Sequence, residues 1–214
     1  MSEFKLLIFD WDGTLSDSLE RIVTCLQIAA DDVGLPIPTR EAGTDIIGLG
    51  LQEALAQLFP AAEAVELESM RASYSRHYVE LDQEPPPFYE TVLDTLESLR
   101  SEGYLLAVAT GKSRKGLDRI FGKLGFDGFF HDSRCADEAR SKPHPLMLQQ
   151  LLERFEIESN QACMVGDTEF DMEMAVRAQM PRIGVSYGAH SADRLAKYQL
   201  RSCVDRFSDI LKSL

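Results

Sequence analysis

Asp10 and Asp12 stand one residue apart at the end of the apolar run Lys5-Leu-Leu-Ile-Phe9 and are followed at once by Gly13 and Thr14. The run is too short for a helix and stops at acids and a glycine, so it predicts a buried strand. Residues two apart share a face of an extended segment. The chain must leave the strand near Gly13, however, so the two carboxylates can instead flank one point in space. Such a pair suits a metal-assisted displacement, in which one carboxylate attacks or binds a hard cation while the other donates and accepts protons. The same acids could merely end a strand and cap the next helix, and the pair alone does not decide between the two.

Three more polar clusters come after apolar runs or open helices. Thr110-Gly111-Lys112 comes after Leu105–Ala109; a hydroxyl and free N–H groups at a helix start form a phosphate seat, or a simple cap with a turn glycine. Lys142-Pro-His-Pro145 fixes a cation between turn residues. It could neutralise a phosphoryl group and an attacking carboxylate together, or be a surface lysine in a stiffened turn. His144 reads as a helix-start residue rather than a base. In Gly166-Asp-Thr-Glu-Phe-Asp171, after Ala162–Val165, Asp167 and Asp171 lie four apart at a helix start. There they can cap the helix or coordinate an oxygen-seeking cation, and capping alone needs only one of them.

The elements that must position these clusters alternate. After the first strand, Leu19, Ile22, Val23, Leu26, Ala29, Ala30 and Val33 recur at helical spacing, ended by Gly34 and Pro36. Helical patterning continues through Leu51, Leu55 and Leu58 and from Val65 to about Leu81, until Pro85-Pro86-Pro87 breaks it; no strand signal falls between about 16 and 84. Beyond the prolines, strands are predicted at 105–109, about 129–131, 162–165 and 182–185. Helices are predicted near 89–102, 114–124, 144–155 and 170–178, with an amphipathic helix at 207–214 that covers the sheet. The fold class is therefore α/β: a doubly wound parallel sheet from residues 1–15 and 85–214, with residues 16–84 inserted as a small helical cap. Ligands of such sheets bind beyond the carboxyl ends of the strands, so the four clusters should converge. Trp11, between the acids, should face away from them and pack.

The 214 residues are 44% hydrophobic, enough for one substantial core and a small appended domain, and the formal charge of −13 argues against a nucleic-acid partner. Cys25, Cys135, Cys163 and Cys203 are scattered without a C-x-x-C pair, which predicts free thiols in a reducing compartment. With no basic leader and no run of membrane-spanning length, a cytoplasmic protein without membrane partners is expected, as monomer or homodimer.

The four clusters, in this order and at these strand ends, resemble the haloacid dehalogenase superfamily of phosphotransferases over nearly the whole chain. The Phe9–Leu15 motif is highly specific, whereas Thr110-Gly-Lys112 is weak alone. The helical insert resembles the cap of the subfamily that contains phosphoglycolate phosphatase and β-phosphoglucomutase, and Lys142-Pro-His-Pro145 is similar to the phosphoglycolate phosphatase-like group. The resemblance implies that Asp10 attacks phosphorus to give an aspartyl-phosphate, that Asp12 protonates the leaving alcohol and then activates water, and that Lys142 orients and neutralises Asp10. It also implies Mg²⁺ held by Asp10, the main-chain carbonyl of Asp12 and Asp167, with Asp171 as ligand or neighbour. Thr110, Gly111 and Lys112 would bind substrate.

Asp12 argues against dehalogenation of haloalkanoic acids, a branch that lacks an aspartate there. Gln179 stands where many relatives have the glycine of a left-handed helix stop. The loop Ile46-Ile-Gly-Leu-Gly-Leu51 offers no charged side chain to a substrate; Arg71, Arg76, His77 and Lys112 could each reach a substrate carboxylate, and Tyr187 could border the site. The expectation is a Mg²⁺-dependent phosphatase of a small phosphorylated metabolite, phosphoglycolate first. A sugar phosphomutase of the same family, and a non-catalytic metal- or phosphate-binding regulatory module, are the alternatives. A protein phosphatase is disfavoured because the cap would block a folded protein surface.

Overall fold

Strand β1 (Leu6–Phe9) buries all four of its side chains, as expected of a strand covered on both faces. The computed structural model describes residues 3–81 and 84–214. Its other strands are β2 (Leu105–Thr110), β3 (Asp132–Cys135), β4 (Ala162–Gly166), β5 (Arg182–Val185) and β6 (Ser202–Val204). They form one parallel sheet in the order β3-β2-β1-β4-β5-β6, so the strand order reverses between β1 and β4.

The described helices are α1 (Leu19–Val33), α2 (Arg40–Asp45), α3 (Leu51–Leu58), α4 (Ala64–Leu81), α5 (Val92–Ser101), α6 (Arg114–Leu124), α7 (Leu146–Phe155), α8 (Glu169–Arg177) and the short α9 (Ala192–Leu195). Alternation along β1 sorts its side chains between two cores. Leu7 and Phe9 pack with Leu96 of α5, Ile120 of α6 and Phe207; Leu6 and Ile8 pack with Leu148 of α7 and Met174 of α8. A third cluster, drawn from α1, α3, α4 and the 46–51 loop, contains no strand residue. The two crossings into this insert run side by side: Asp17 N donates to Pro87 O at 2.8 Å, and Tyr89 N to Leu15 O at 3.0 Å.

Several sequence expectations shift. The strand expected at about 129–131 lies instead at Asp132–Cys135, because Phe129 and Phe130 stack with Phe126 and Phe121 rather than pairing in the sheet. β3 is an edge strand in which only Ser133 and Cys135 are buried, while Asp132 and Arg134 pair with each other at 2.8 Å. The short α2 and β6 carried no sequence signal, and the terminal segment is a 3₁₀ helix, Phe207–Ser213, that buries Phe207 and Ile210. Trp11 packs as expected, against Phe88, Phe121 and Phe130. All four cysteines are free.

Gln179 ends α8 with φ +54°. Met180 N donates to Ala175 O and Gln179 N to Val176 O, both at 2.9 Å, the Schellman pattern that glycine fits without strain. Since a side chain in the left-handed region costs about 1 kcal/mol and glycine's extra unfolded freedom offsets part of the gain, Gln179→Gly is expected to stabilise the fold by roughly 0.5 kcal/mol. Thermal melting checks this: a rise of about 1–2 °C is expected, and a fall would mean that the exposed glutamine makes a contact worth more than the strain.

Candidate active site

Adjacent strands deliver two acids side by side. Asp10 follows β1 and Asp167 follows β4, whose Phe9 and Val165 are partners in the sheet, and Asp10 N donates to Val165 O at 3.0 Å. The pair thus straddles the reversal of strand order, where open α/β sheets bind ligands. Asp167 is held on both oxygens, Oδ1 by the Thr14 hydroxyl at 2.7 Å and Oδ2 by Ala189 N at 2.8 Å. Gly13 has φ +86°, and a Cβ there would lie 2.2 Å from Asp167 Oδ2, so only glycine lets the turn after β1 pass so close.

Asp171 sits in the first turn of α8. Its Oδ2 accepts from Thr168 N at 3.1 Å and from the Thr168 hydroxyl at 2.7 Å, and Asp171 N donates back to Thr168 Oγ1, a reciprocal cap. Its Oδ1 lies 2.7 Å from Lys142 Nζ, which also reaches Asp10 Oδ1 at 2.7 Å. Lys142 is 2% exposed, so the cation that the sequence left as possible surface is locked between two buried carboxylates. Burial pushes the Asp10 carboxyl well above its usual range; Lys142 opposes this, and Asp171 and Asp167 add to it. Burial, then the charge of Asp171, pushes Asp167 up to about 7. Burial also works against the Lys142 charge, yet Asp10 and Asp171 together hold its pKa above that of an ordinary lysine.

Asp12 is engaged from two sides: Ser18 Oγ donates to Oδ1 at 2.5 Å, and Lys112 Nζ lies 3.0 Å from Oδ2. Thr110 is fully buried at the end of β2, and its hydroxyl oxygen accepts from Lys112 N at 3.2 Å. Asp10, Asp12, Gly111 and Lys112 open onto a cavity of about 390 Å³ that α1, α3, α4 and the 46–51 loop roof over. The roof rests directly on Gly111, where a Cβ would lie 2.3 Å from Leu49 O.

Of the other candidates, Arg71 lines the cavity but pairs with Glu68 at 2.5 Å. Arg76 and His77 both bind Asp32, at 2.6 and 2.7 Å, and do not line the cavity. Tyr187 donates to Thr14 O at 2.8 Å and so braces the turn after β1. His144 accepts from Leu146 N, a helix-start role.

The donor set suits a hard divalent cation. One carboxylate oxygen from each of Asp10, Asp167 and Asp171 lies within 4.8 Å of the others, and Asp10 Oδ2 is buried without a hydrogen-bond partner among the described residues. Asp171 and Asp167 are each contacted on both oxygens, Asp171 by Thr168 and Lys142 and Asp167 by Thr14 and Ala189, which leaves Asp10 Oδ2 as the open oxygen of the set.

A family model described as haloacid dehalogenase-like hydrolase matches residues 7–185. The chain belongs to the haloacid dehalogenase-like hydrolases. Among curated relatives of this hydrolase, the probable phosphatase IndB of Dickeya dadantii is 34% identical, over 96% of this chain and 91% of its own length. The phosphoglycolate phosphatase of Aliivibrio fischeri is 29% identical, over 99% and 97%. A solved structure of a predicted phosphoglycolate phosphatase from Haemophilus somnus matches with a TM-score of 0.87 at 30% identity, covering 99% of this chain and 98% of that one. Among the described residues, no helix of this haloacid dehalogenase-like hydrolase is long and apolar enough to cross a membrane.

Sequence reasoning missed Ser18, Thr168, Tyr74 and Tyr78. Thr168 had a signal in Thr-x-x-Asp before an apolar run, which is close to a capping box. Ser18 lies only six residues after its partner Asp12 but stands just before α1, where it reads as a cap; Tyr74 and Tyr78 had no signal, since the cavity they line is built from distant segments.

Proposed function

We propose that the protein is a Mg²⁺-dependent phosphoric monoester hydrolase that works through an aspartyl-phosphate on Asp10. The observation that carries this reading is the Asp10 carboxylate: buried, paired on Oδ1 with Lys142, unpartnered on Oδ2, and beside Asp12 on the floor of a roofed cavity. Asp10 attacks phosphorus, the bond from phosphorus to the ester oxygen breaks, and Asp12 passes its proton to the departing alkoxide. A water then attacks the phosphoryl-aspartate and gives a proton to Asp12; the bond from Asp10 to phosphorus breaks, and phosphate leaves.

Lys142 aligns Asp10 and opposes the push of burial toward its neutral form. Thr110 and the N–H groups just after it receive the phosphoryl oxygens. Mg²⁺ would be held by Asp10, Asp167 and the Asp12 carbonyl, and when bound it supplies positive charge to the transferring group. Asp171 positions Lys142 and stands beside the cation as ligand or neighbour. Residues 16–84 act as a cap that excludes bulk water from the site. The substrates are small phosphorylated metabolites, and phosphoglycolate, named in several relatives, is the reference ester.

The test is release of inorganic phosphate from small phosphomonoesters by the purified chain, with Mg²⁺ and with a chelator. Metal-dependent net release supports the reading. Binding of phosphate without release would move the protein to the regulatory class.

Proton and cation should compete at Asp167. Its folded pKa is raised to about 7 from 3.8, so its ionisation works against the metal-free fold as pH rises through that window, and the cation must displace a proton below it. The rise in melting temperature on adding Mg²⁺ is therefore expected to be larger at pH 8 than at pH 5.5. Equal rises at both values would remove Asp167 from the cation site.

A further inference from the structure

The cavity that opens from Asp10 and Asp12 is larger and less polar than a two-carbon ester requires. Its volume of about 390 Å³ lies in the range of pockets that enclose drug-sized ligands. Only its floor carries the reacting groups. Ile22 and Leu26 of α1, Ile46 of the loop and Ala54 of α3 give it an apolar wall, and Tyr74 and Tyr78 of α4 add two rings whose centroids lie 5.8 Å apart, tilted by 37°.

Among the described residues, four cations line the cavity, Arg71, Lys112, Lys115 and Arg119, and the one beside Asp12 is already committed. Lys112 pairs with Asp12, lies 3.2 Å from the Tyr78 hydroxyl and sits 4.8 Å from the centre of the Tyr78 ring; Arg71 pairs with Glu68. A glycolate carboxylate placed at Asp12 would have to pull Lys112 from its partner or be met by Lys115 or Arg119. An apolar ring asks for neither. It would displace poorly hydrogen-bonded water from that wall and find tyrosine faces to pack on.

We propose that the preferred substrate is a phosphomonoester whose alcohol carries a planar, largely apolar ring, with its phosphoryl group at Asp10 and its ring between the two tyrosines and the Ile22, Leu26 and Ile46 wall. This rests on the phosphatase reading above and names the substrate class of that same site.

The test compares kcat/KM of the Mg²⁺-loaded full chain for four substrates: the acyl phosphate acetyl phosphate, and the esters phosphoglycolate, hexyl phosphate and 2-phenylethyl phosphate. The last three are primary alkyl esters that differ in the group attached to the reacting carbon. The ring ester is expected to exceed phosphoglycolate by tenfold or more and to exceed hexyl phosphate. Tyr74→Ala, and separately Ala54→Leu, are expected to lower the ratio of ring ester to phosphoglycolate at least fivefold; the ratio reads selectivity even where a variant is partly unfolded. Turnover of acetyl phosphate and phosphoglycolate without preference for the ring ester overturns the inference and leaves the phosphatase reading standing. Hexyl phosphate equal to the ring ester overturns the claim of a ring. No turnover of any of the four overturns the phosphatase reading, and the inference with it.

Discussion

Asp10→Asn is expected to lower phosphate release by four orders of magnitude or more while leaving the protein folded. The amide keeps the shape of the carboxylate but cannot attack phosphorus, and loss of a covalent nucleophile is not recovered by the groups around it. Folding should survive for a reason visible in the site. Burial disfavours charge on Asp10, so the neutral amide removes a desolvation cost as it removes an ion pair, and Lys142 keeps Asp171 at 2.7 Å. Phosphate release and thermal melting on the same sample check both halves. Activity within tenfold of the parent would place the nucleophile elsewhere; loss of the fold would make Asp10 structural first.

The second large effect belongs to Lys142→Met, which strikes stability as well as rate. Its ammonium is the cation shared by Asp10 and Asp171, and removing it leaves two buried carboxylates facing each other beside Asp167. Breaking a buried pair from one side costs about 3–5 kcal/mol, which for a chain of this size is a fall in melting temperature of roughly 6–20 °C. Release should also drop by about 10²–10³, the usual cost of one fixed charge at a developing negative group.

The pH dependence of that stability loss has a definite sign. Without the ammonium, the acids resist ionisation in the fold more than in the unfolded chain, so the gap between variant and parent should narrow as pH falls from 8 to 5. Adding Asp171→Asn should recover part of the lost stability. A gap independent of pH, with no recovery in the double variant, would show that Lys142 acts by packing alone.

What could be read from the sequence was whatever a local pattern encodes. The run before Asp10, the helical spacing of α1 and the glycine after Asp12 each arise from short-range geometry, and they put the acids at a strand end where the structure has them. Partner choice was not local. Lys112 could be placed at a strand end, but that it is spent on Asp12 depends on two strands meeting; Arg76 and His77 looked available until α4 packed on α1 and brought them to Asp32.

Edge elements hid for another reason. β3 is half polar because its rim needs no apolar cover, so the apolar Phe129-Phe130 pair beside it drew the prediction away. β6 has three residues, too few to show alternation. The cavity wall was invisible because Ile22 and Leu26 sit on the same helical stripe as the insert's core, and a stripe does not tell which of its residues faces a void.

Pairing of β1 with β4 has a consequence for how the enzyme comes into being. Leu6 meets Ala162 and Phe9 meets Val165, a contact between distant stretches of chain and therefore a late and slow one to close. A nascent chain carries Asp10 and Asp12 well before β4 is made, and until then these are two solvated acids on an unfinished strand. Lys142 is made shortly before β4, and Asp167 and Asp171 directly after it; the two acids become neighbours of Asp10 only when that strand docks. Competence should thus switch on in one step, with the last pairing across the centre of the sheet. A chain halted before Ala162 would hold both leading acids and the lysine, but neither of the carboxylates that complete the cluster around them.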